Sequence, residues 1–339
     1  MSTPTTGART TTKKTTATKT AAKKTTSKTT TAKTTSPSRA TAPADGTRVD
    51  VRKTYKLYVG GKFPRSESRR TYAVHAADGR LLAQAAKASR KDARDAVVAA
   101  RSAVPGWSGA TAYNRGQVLY RVAEMLEGRA GQFVELVADA EGLSLEDAHQ
   151  QVTEAVDRWV WYAGWTDKVA QVAGNANPVA GPYFNLSVPE PTGVVAVLAP
   201  QGSSLLGLIS VVAPVIATGN TCVVVTSADR PLPAVALAEV LATSDVPGGV
   251  VNLLTGDAGE LGPWLAAHRD VDAIDLTGAA ALTGPTWGDL EAAASDTLTR
   301  VLRPADLPDG AEPDWAEVPD PRRMLTFMET KTVWHPPGR

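Results

Sequence analysis

The sequence predicts an α/β protein with a doubly wound parallel sheet, preceded by helices and followed by a further strand. Between residues 193 and 279, four apolar runs alternate with helical segments. The runs show little polar alternation, which is typical of strands buried on both faces of a parallel sheet. The carboxyl ends of these strands should lie together and form the ligand crevice. These ends are residues 199–204, 226–228, 255–257 and 277–279.

The region before the sheet predicts short strands and then several helices. Residues 53–89 contain a Gly-Gly and an Asp-Gly turn between short strand-like runs. Ser89 and Asp92 form an N-terminal cap pair, and apolar residues then recur at helical spacing. We expect Pro105 and Gly106 to end this helix. Three more helices should follow, the second of them closed by Gly142.

Composition divides the 339 residues into unlike regions. Residues 1–48 consist almost wholly of Thr, Ala, Lys, Ser and Pro, with ten basic residues and one acid. They lack apolar side chains for a core, so they are predicted to be a disordered basic tail. The rest of the chain carries 26 basic and 34 acidic residues. We assign residues 49–298 to the sheet domain and residues 299–339 to a C-terminal segment.

Cysteine usage and hydropathy exclude several classes of protein. The only cysteine, Cys222, permits neither an intramolecular disulfide nor a cysteine-based zinc site. The four histidines are scattered, and no pair has the spacing of metal ligands. No apolar run reaches the roughly 18 residues of a membrane span, and no signal-peptide pattern is present. We therefore expect a cytoplasmic protein with no membrane partner.

Six motifs, in order along the chain, resemble the aldehyde dehydrogenase superfamily. They are LYVGGKF, EPTGVVAVLAP, IATGNTCVVV, DVPGGVVNLLTG, HRDVDAIDLTGA and the closing MLTFMETKTVWHPPG. The resemblance covers residues 54–280 and 299–338. It implies the Rossmann-like cofactor domain of the aldehyde dehydrogenase fold, with the closing motif as an oligomerisation strand.

Several crevice positions depart from the family pattern. Where the family has Trp-Asn-Phe-Pro, this chain has Gln-Gly-Ser-Ser, beginning at Gln201. The family asparagine donates to the reacting oxyanion, and Gly202 has no side chain that could do so. The family's lysine and glutamate, which bind the adenosine ribose, are replaced by Val225 and Ala228.

The next two turns are degenerate as well. Gly256 and Gly262 match family glycines, but Ala258 stands where the family has a glycine between them. The family's Phe-Thr-Gly-Ser becomes Leu-Thr-Gly-Ala, ending in Gly278 and Ala279. Beyond residue 280 the resemblance implies a large catalytic lobe with a nucleophilic cysteine, and the sequence instead runs directly to the closing motif.

These departures predict a protein without catalysis of its own. Family turnover needs a thiolate, an oxyanion donor and a base. Cys222 lies in a predicted apolar strand, where a cysteine behaves as a small hydrophobe. Because the ribose ligands are also replaced, we expect no catalytic residue, no metal and no NAD or NADP cofactor. The turn after Pro200 is then interpreted as a former active site that now serves packing.

Two features point to assembly with another chain. Trp161 and Trp165 are four residues apart and share a helix face, which fits either core packing or a partner surface. The terminal strand includes Thr332, Val333 and Trp334, and a free strand edge invites pairing. We expect residues 326–336 to add a strand to the sheet of a full-length aldehyde dehydrogenase, in a hetero-oligomer. Self-association is the alternative.

Three functions remain open from the sequence. The first is an inactive aldehyde-dehydrogenase-like subunit with a structural or regulatory role beside an active family member. The second is NAD(P)-dependent aldehyde oxidation through a composite site shared with a partner. The third is polyanion binding, DNA included, through the tail of residues 1–48 by counterion release. A solvated linker is the alternative role for that tail.

Overall fold

The computed structural model describes residues 52–280 and 282–336, so the predicted basic tail at residues 1–48 lies outside the described residues. The strands are β1 (Thr54–Tyr55), β2 (Thr71–His75), β3 (Leu81–Ala86), β4 (Asn175–Ala176), β5 (Phe184–Pro191), β6 (Val194–Leu198), β7 (Thr221–Val225), β8 (Val251–Leu254), β9 (Ala273–Asp275), β10 (Arg300–Leu302) and β11 (Met328–His335). The helices are α1 (Arg90–Gly109), α2 (Ala112–Glu127), α3 (Ala130–Glu141), α4 (Leu145–Trp165), α5 (Val169–Ala173), α6 (Leu206–Ala217), α7 (Leu232–Leu241), α8 (Ala258–Ala266), α9 (Trp287–Ser295) and α10 (Arg322–Thr326).

A five-stranded parallel sheet in the order β10-β9-β6-β7-β8 forms the centre of the fold. Every residue of β6 and β7 is buried, as their uninterrupted apolar sequences predict. The chain adds β7 and β8 on one side of β6 and then crosses to add β9 and β10 on the other side. The predicted doubly wound parallel sheet is therefore confirmed, and its topological switch point lies beside β6.

Two helical layers cover this sheet. Val195 and Val197 of β6 pack in a core with α2, α3, α4, α6 and α7. The alternate residues of β6, such as Ala196, pack with α1, α8 and α9 on the other face. The alternation follows from the two-residue period of a strand. Among the helices of the described residues, none combines the length and the apolarity needed to cross a bilayer.

The first helix extends further than the sequence predicts. Ser89 and Asp92 form the expected capping box, but α1 continues through Pro105 to Gly109. Trp107 explains the extra turn: it is 2% exposed, and its Nε1 donates to the carbonyl of Ile216 at 2.9 Å. Burial of the Trp107 side chain offsets the loss of the backbone hydrogen bond that Pro105 removes from the helix.

Two small sheets flank the central one. The first has the order β1-β3-β2, and the second has the order β11-β5-β4. β11 pairs antiparallel with β5 from Met328 opposite Pro191 to His335 opposite Phe184. The sequence did not predict this internal pairing, which uses one edge of the strand expected to join a partner. In the described part of the chain the opposite edge of β11 has no neighbouring strand.

The chain between β9 and β10 is short. It forms a 3-10 turn (Thr277–Ala279) and α9 before it returns to the sheet as β10. β10 comes from the region predicted to follow the sheet domain, yet it is the outermost strand of the sheet, paired in parallel with β9. The segment after β10 then passes over the carboxyl ends of the strands, where its contacts define part of the candidate site.

Candidate cofactor cleft and the turn after β6

A cleft of about 480 Å³ opens at the carboxyl ends of β6, β7 and β8. Its volume lies within the range typical of small-molecule sites. The structure brings several predicted positions together here and adds two residues from the N-terminal region that sequence reasoning missed, Tyr72 and Lys87. The residues lining the cleft are Tyr72, Lys87, Gln201, Ala228, Asp229, Gly256, Asp257, Ala258, Leu282 and Thr283.

The hydroxyl of Tyr72 is the most distinctive group in the cleft. It is buried and has no hydrogen-bond partner in the described residues. Burial, and to a smaller extent the negative charge of Asp229, raise the pKa of Tyr72, so the hydroxyl stays protonated. A buried hydroxyl without a partner is costly, and a polar ligand atom would remove that cost. This group therefore fits a polar ligand such as part of a nucleotide.

Gln201 connects the ends of β6 and β7. Its Nε2 donates to the carbonyl of Ala199 at 2.7 Å, and its Oε1 accepts from the amide of Ala228 at 3.2 Å. The hydroxyl of Ser227 donates to the carbonyl of Gln201 at 3.0 Å. The glutamine side chain is thus occupied by the backbone, and it shapes one wall of the cleft.

The other predicted positions have structural roles around the cleft. Val225 is fully buried in the apolar core, so it cannot take over the ribose-binding role of the family's lysine. Gly256 has a φ of +142°, a conformation that side chains disfavour. A Cβ on Gly278 would lie 1.9 Å from the carbonyl oxygen of Ala199, so only glycine fits there. Gly262 and Ala279 pack in the interior.

A carboxylate from a distant part of the chain binds the turn after β6. The backbone amides of residues 201, 202 and 203 donate to Glu312 at 2.5, 2.7 and 3.2 Å. The indole of Trp315 donates to the same carboxylate at 3.2 Å. Next along the turn, the amide and the hydroxyl of Ser204 both donate to Glu141 at 2.6 Å.

The start of α6 explains why two carboxylates gather at this turn. The helix is entirely buried, and the side chain of its N-cap residue, Leu205, offers no acceptor. The amides of residues 201–204, in the turn just before the helix, need acceptors, and the helix dipole favours negative charge at this end. Glu312 and Glu141 provide both. The interpretation of the turn as a packing remnant is therefore incomplete, because its amides bind anionic groups.

The segment that carries Glu312 is fastened to the body by two arginines. Arg158, on α4, is buried and donates to the carbonyls of Trp315 and Glu317. Arg323 forms an ion pair at 2.8 Å with Asp275, whose side chain is fully buried at the end of β9. These contacts hold the segment over the N-terminus of α6.

Cys222 lies in the middle of the sheet. It is fully buried in β7, and burial raises the pKa of its thiol. A neutral, inaccessible thiol is a poor nucleophile. The structure therefore places the only cysteine of the sequence in apolar packing.

The residues predicted for an interface divide into two groups. Trp161 and Trp165 are half-buried, their ring centroids lie 5.3 Å apart, and both pack against the core. Val333 and Trp334 of β11 are 43% and 59% exposed, whereas Thr332 shares a hydrogen bond with Ser187 at 2.9 Å. A partner surface at these positions stays a prediction.

Comparison with known proteins identifies the family. A sequence profile described as "Aldehyde dehydrogenase family" matches residues 63–301. The chain belongs to the aldehyde dehydrogenase family. Mouse cytosolic 10-formyltetrahydrofolate dehydrogenase is 31% identical over 68% of this chain and 26% of the mouse protein. An aldehyde dehydrogenase of Aspergillus niger is 31% identical over 72% of this chain and 48% of its own length.

Solved structures agree with this family assignment. An aldehyde dehydrogenase from Bacillus cereus, solved as an NAD+ complex, matches with a TM-score of 0.68 and 26% identity. PnpE from Pseudomonas sp. WBC-3 matches with a TM-score of 0.69 and 29% identity. Each match covers 74% of this aldehyde dehydrogenase homologue and 50% of the solved chain. The chain thus spans about half the length of these relatives, or less.

The prediction that the chain has no cofactor is wrong. The Bacillus cereus structure that shares its fold is an NAD+ complex, which points to NAD(P) instead of none. The prediction failed because it depended on two motif positions, those of Val225 and Ala228. The cleft does not need polar side chains at these positions, because Tyr72 and Asp229, which no motif contains, supply polar groups there. The residues present fit a nucleotide.

Proposed function

We propose that this chain is an NAD(P)-binding subunit of the aldehyde dehydrogenase family that has no nucleophile of its own and acts as a structural or regulatory partner of a full-length aldehyde dehydrogenase. The single observation that carries the cofactor part is the cleft at the carboxyl ends of β6, β7 and β8, with the unsatisfied hydroxyl of Tyr72 inside it. Crevices at this edge of parallel sheets typically bind nucleotides.

The cleft residues have distinct roles toward such a cofactor. The hydroxyl of Tyr72 offers a hydrogen bond, and Gly256 lets the backbone approach a ligand closely. Gln201 keeps the ends of β6 and β7 in place. When bound, a nicotinamide dinucleotide supplies a hydride acceptor, and these residues bind and orient it.

Two observations support the absence of independent catalysis. Cys222 is the only cysteine in the sequence, and it is buried in β7 with a raised thiol pKa. Gly202 has no side chain that could donate to a reacting oxyanion, and the backbone amides of residues 201–203 already donate to Glu312. Acyl transfer needs both a reactive thiolate and free oxyanion donors.

The sheet formed by β5 and β11 supports the partner role. Phe184, Leu186 and Val188 alternate along β5 and are 62%, 46% and 43% exposed. Val333 of β11 lies opposite Leu186 and is also exposed, so these side chains form an apolar strip on one sheet face. Exposed apolar strips and free strand edges are typical of interfaces. We propose a full-length aldehyde dehydrogenase as the occupant.

Co-expression with a full-length aldehyde dehydrogenase tests the partner role. We expect one peak containing both chains in size-exclusion chromatography, and separation of the chains when Leu186→Lys and Val333→Lys are combined. Val98→Lys is the matched control, because Val98 is an apolar residue that is 55% exposed and lies on α1, outside the sheet formed by β5 and β11. Two separate peaks for the unmodified proteins would contradict the partner role.

Aldehyde oxidation through a composite site is the second candidate, and the cofactor cleft favours it. In that case the complex should form NADH from an aldehyde faster than the partner alone, and Tyr72→Phe in this chain should remove the difference. Unchanged rates would leave the structural or regulatory role as the better account.

A further inference from the structure

We propose that a second pocket, separate from the cofactor cleft, binds a small anion that carries a phosphate group. The pocket has a volume of about 270 Å³ and lies beside the small sheet formed by β1, β2 and β3. Its lining includes four basic residues and two threonines, namely Lys56, Arg65, Arg69, Arg70, Thr54 and Thr71. Among the described residues, no acidic side chain lines it.

The four basic side chains are not neutralised within the protein. None of them forms a hydrogen bond or an ion pair in residues 52–280 and 282–336. By contrast, the neighbouring Lys53 and Lys87 each lie 3.2 Å from a carboxylate oxygen of a glutamate. Composition does not explain the cluster, because the sequence after residue 48 has more acidic than basic residues. Four unpaired positive charges around one pocket attract an anion.

The two acidic residues that could offset this charge are bound to other groups. The carboxylate of Glu67 lies 3.5 Å from Nζ of Lys91 and accepts from the hydroxyl of Ser89 at 3.2 Å. Asp92 is buried and accepts from the hydroxyl of Ser66 at 2.7 Å and from the amide of Ser89 at 2.8 Å. Neither carboxylate lines the pocket, so its positive charge is left for a ligand.

The turn that carries two of the arginines is held in a fixed conformation. The amide of Arg69 donates to the carbonyl of Ser66 at 2.9 Å, and the amide of Arg70 donates to the hydroxyl of Ser68 at 3.3 Å. Arg69 has a φ of +57°, which is uncommon for a residue other than glycine. Ser66 is 2% exposed and anchors the turn through its hydrogen bond to Asp92. Binding groups on a preorganised backbone lose less entropy when a ligand arrives.

Phosphate is the anionic group that suits these side chains. A guanidinium can donate two parallel hydrogen bonds to phosphate oxygens, and an ammonium adds a compact positive charge. The hydroxyls of Thr54 and Thr71 can donate as well. The pocket is slightly smaller than the roughly 300–1,000 Å³ of sites for drug-sized ligands, so its occupant is small. Free diphosphate and a phosphomonoester of a small molecule both have this chemistry.

The pocket is distinct from the cofactor cleft, and the two share no lining residue. Thr71 lines the pocket, whereas Tyr72, the next residue of β2, lines the cleft. Successive residues of a strand point to opposite faces of a sheet. The proposal is therefore independent of the proposed function, and a failure of dinucleotide binding would not affect it.

Calorimetric titration of the intact chain with inorganic diphosphate and with ribose 5-phosphate tests the proposal. We expect the better ligand to bind with a dissociation constant of about 0.1 mM, and its identity distinguishes a free anion from a phosphomonoester. Combining Arg65→Gln with Arg69→Gln should weaken binding at least about tenfold. Combining Arg65→Lys with Arg69→Lys keeps the charge but not the paired donors, and should weaken binding by about threefold.

A matched control removes two exposed guanidiniums elsewhere, by combining Arg121→Gln with Arg269→Gln, and should leave the affinity unchanged. Melting temperatures of the ligand-free variants confirm that they are folded. Absence of binding at about 10 mM of either anion would overturn the proposal. Equal weakening in the control would do the same, because it would show a general charge effect. An oligothymidylate that binds more tightly than both anions, and loses affinity in Arg65→Gln with Arg69→Gln, would make the patch a nucleic-acid surface instead.

Discussion

Glu312 provides a direct test of how the turn after β6 is stabilised. Its carboxylate accepts from the three amides of residues 201–203 and from the indole of Trp315. Glu312→Ala removes all four interactions and the negative charge at the N-terminus of α6. Glu312→Gln keeps one acceptor oxygen but loses the charge. We expect both variants to destabilise the protein, the alanine variant more strongly.

The magnitude follows from the surroundings of the carboxylate. A hydrogen bond to a charged group contributes about 1.5–3 kcal/mol net, and a negative charge near a helix N-terminus contributes about 0.3–1 kcal/mol. Glu312 is only half-buried, so water replaces part of what is lost. We therefore expect Glu312→Ala to lower the free energy of unfolding by about 2 kcal/mol, and Glu312→Gln by about 1 kcal/mol. For a folded body of this size, about 2 kcal/mol corresponds to about 3 °C in Tm.

Urea unfolding and amide hydrogen exchange measure the two parts of this expectation. The unfolding free energy should fall as stated, and the amides of residues 201–203 should exchange faster in Glu312→Ala. Glu317→Gln is the control, because Glu317 is on the same segment and its exposed side chain makes no hydrogen bond in the described residues. An alanine variant within about 0.5 kcal/mol of the unmodified protein would refute the role of Glu312 in stabilising this turn.

Two further experiments test the interior of the fold. Arg323→Met should lower the unfolding free energy by about 3–5 kcal/mol, because it leaves the fully buried carboxylate of Asp275 without its ion-pair partner. Adding Asp275→Asn should restore part of this lost stability. If it restores none, the loss in Arg323→Met is not caused by an unpaired charge. Cys222 should resist alkylation at pH 8 in the folded protein, because burial raises the pKa of its thiol. In denaturant it should react once per chain. Alkylation of the native protein would mean that the thiol is accessible.

The central sheet was predictable because its signal is local. β6 and β7 are uninterrupted apolar runs, and such runs are readily recognised as strands buried on both faces. β10 and β5 were not predictable in the same way. β10 has three half-buried residues, and β5 contains prolines and alternates between exposed positions and positions that are buried or half-buried. The end of α1 was missed for another reason, since Trp107 is held by a contact with Ile216, more than a hundred residues away.

The candidate site shows why a cleft suited to a cofactor can be present although the family's motif residues are replaced. The motif positions at 201–204, 225 and 228 describe side chains, and their replacement predicted an empty crevice. The turn after β6 still presents a row of backbone amides, which exist whatever the side chains are and which need acceptors from elsewhere in the chain. Glu312 is that acceptor, 109 to 111 residues further along the chain, at a separation that no local pattern can reveal. In the same way Tyr72 reaches the cleft from β2, outside every nucleotide-binding turn. The chemistry of this crevice is therefore set by backbone geometry and by distant side chains, so degenerate motif residues are a poor guide to what it binds.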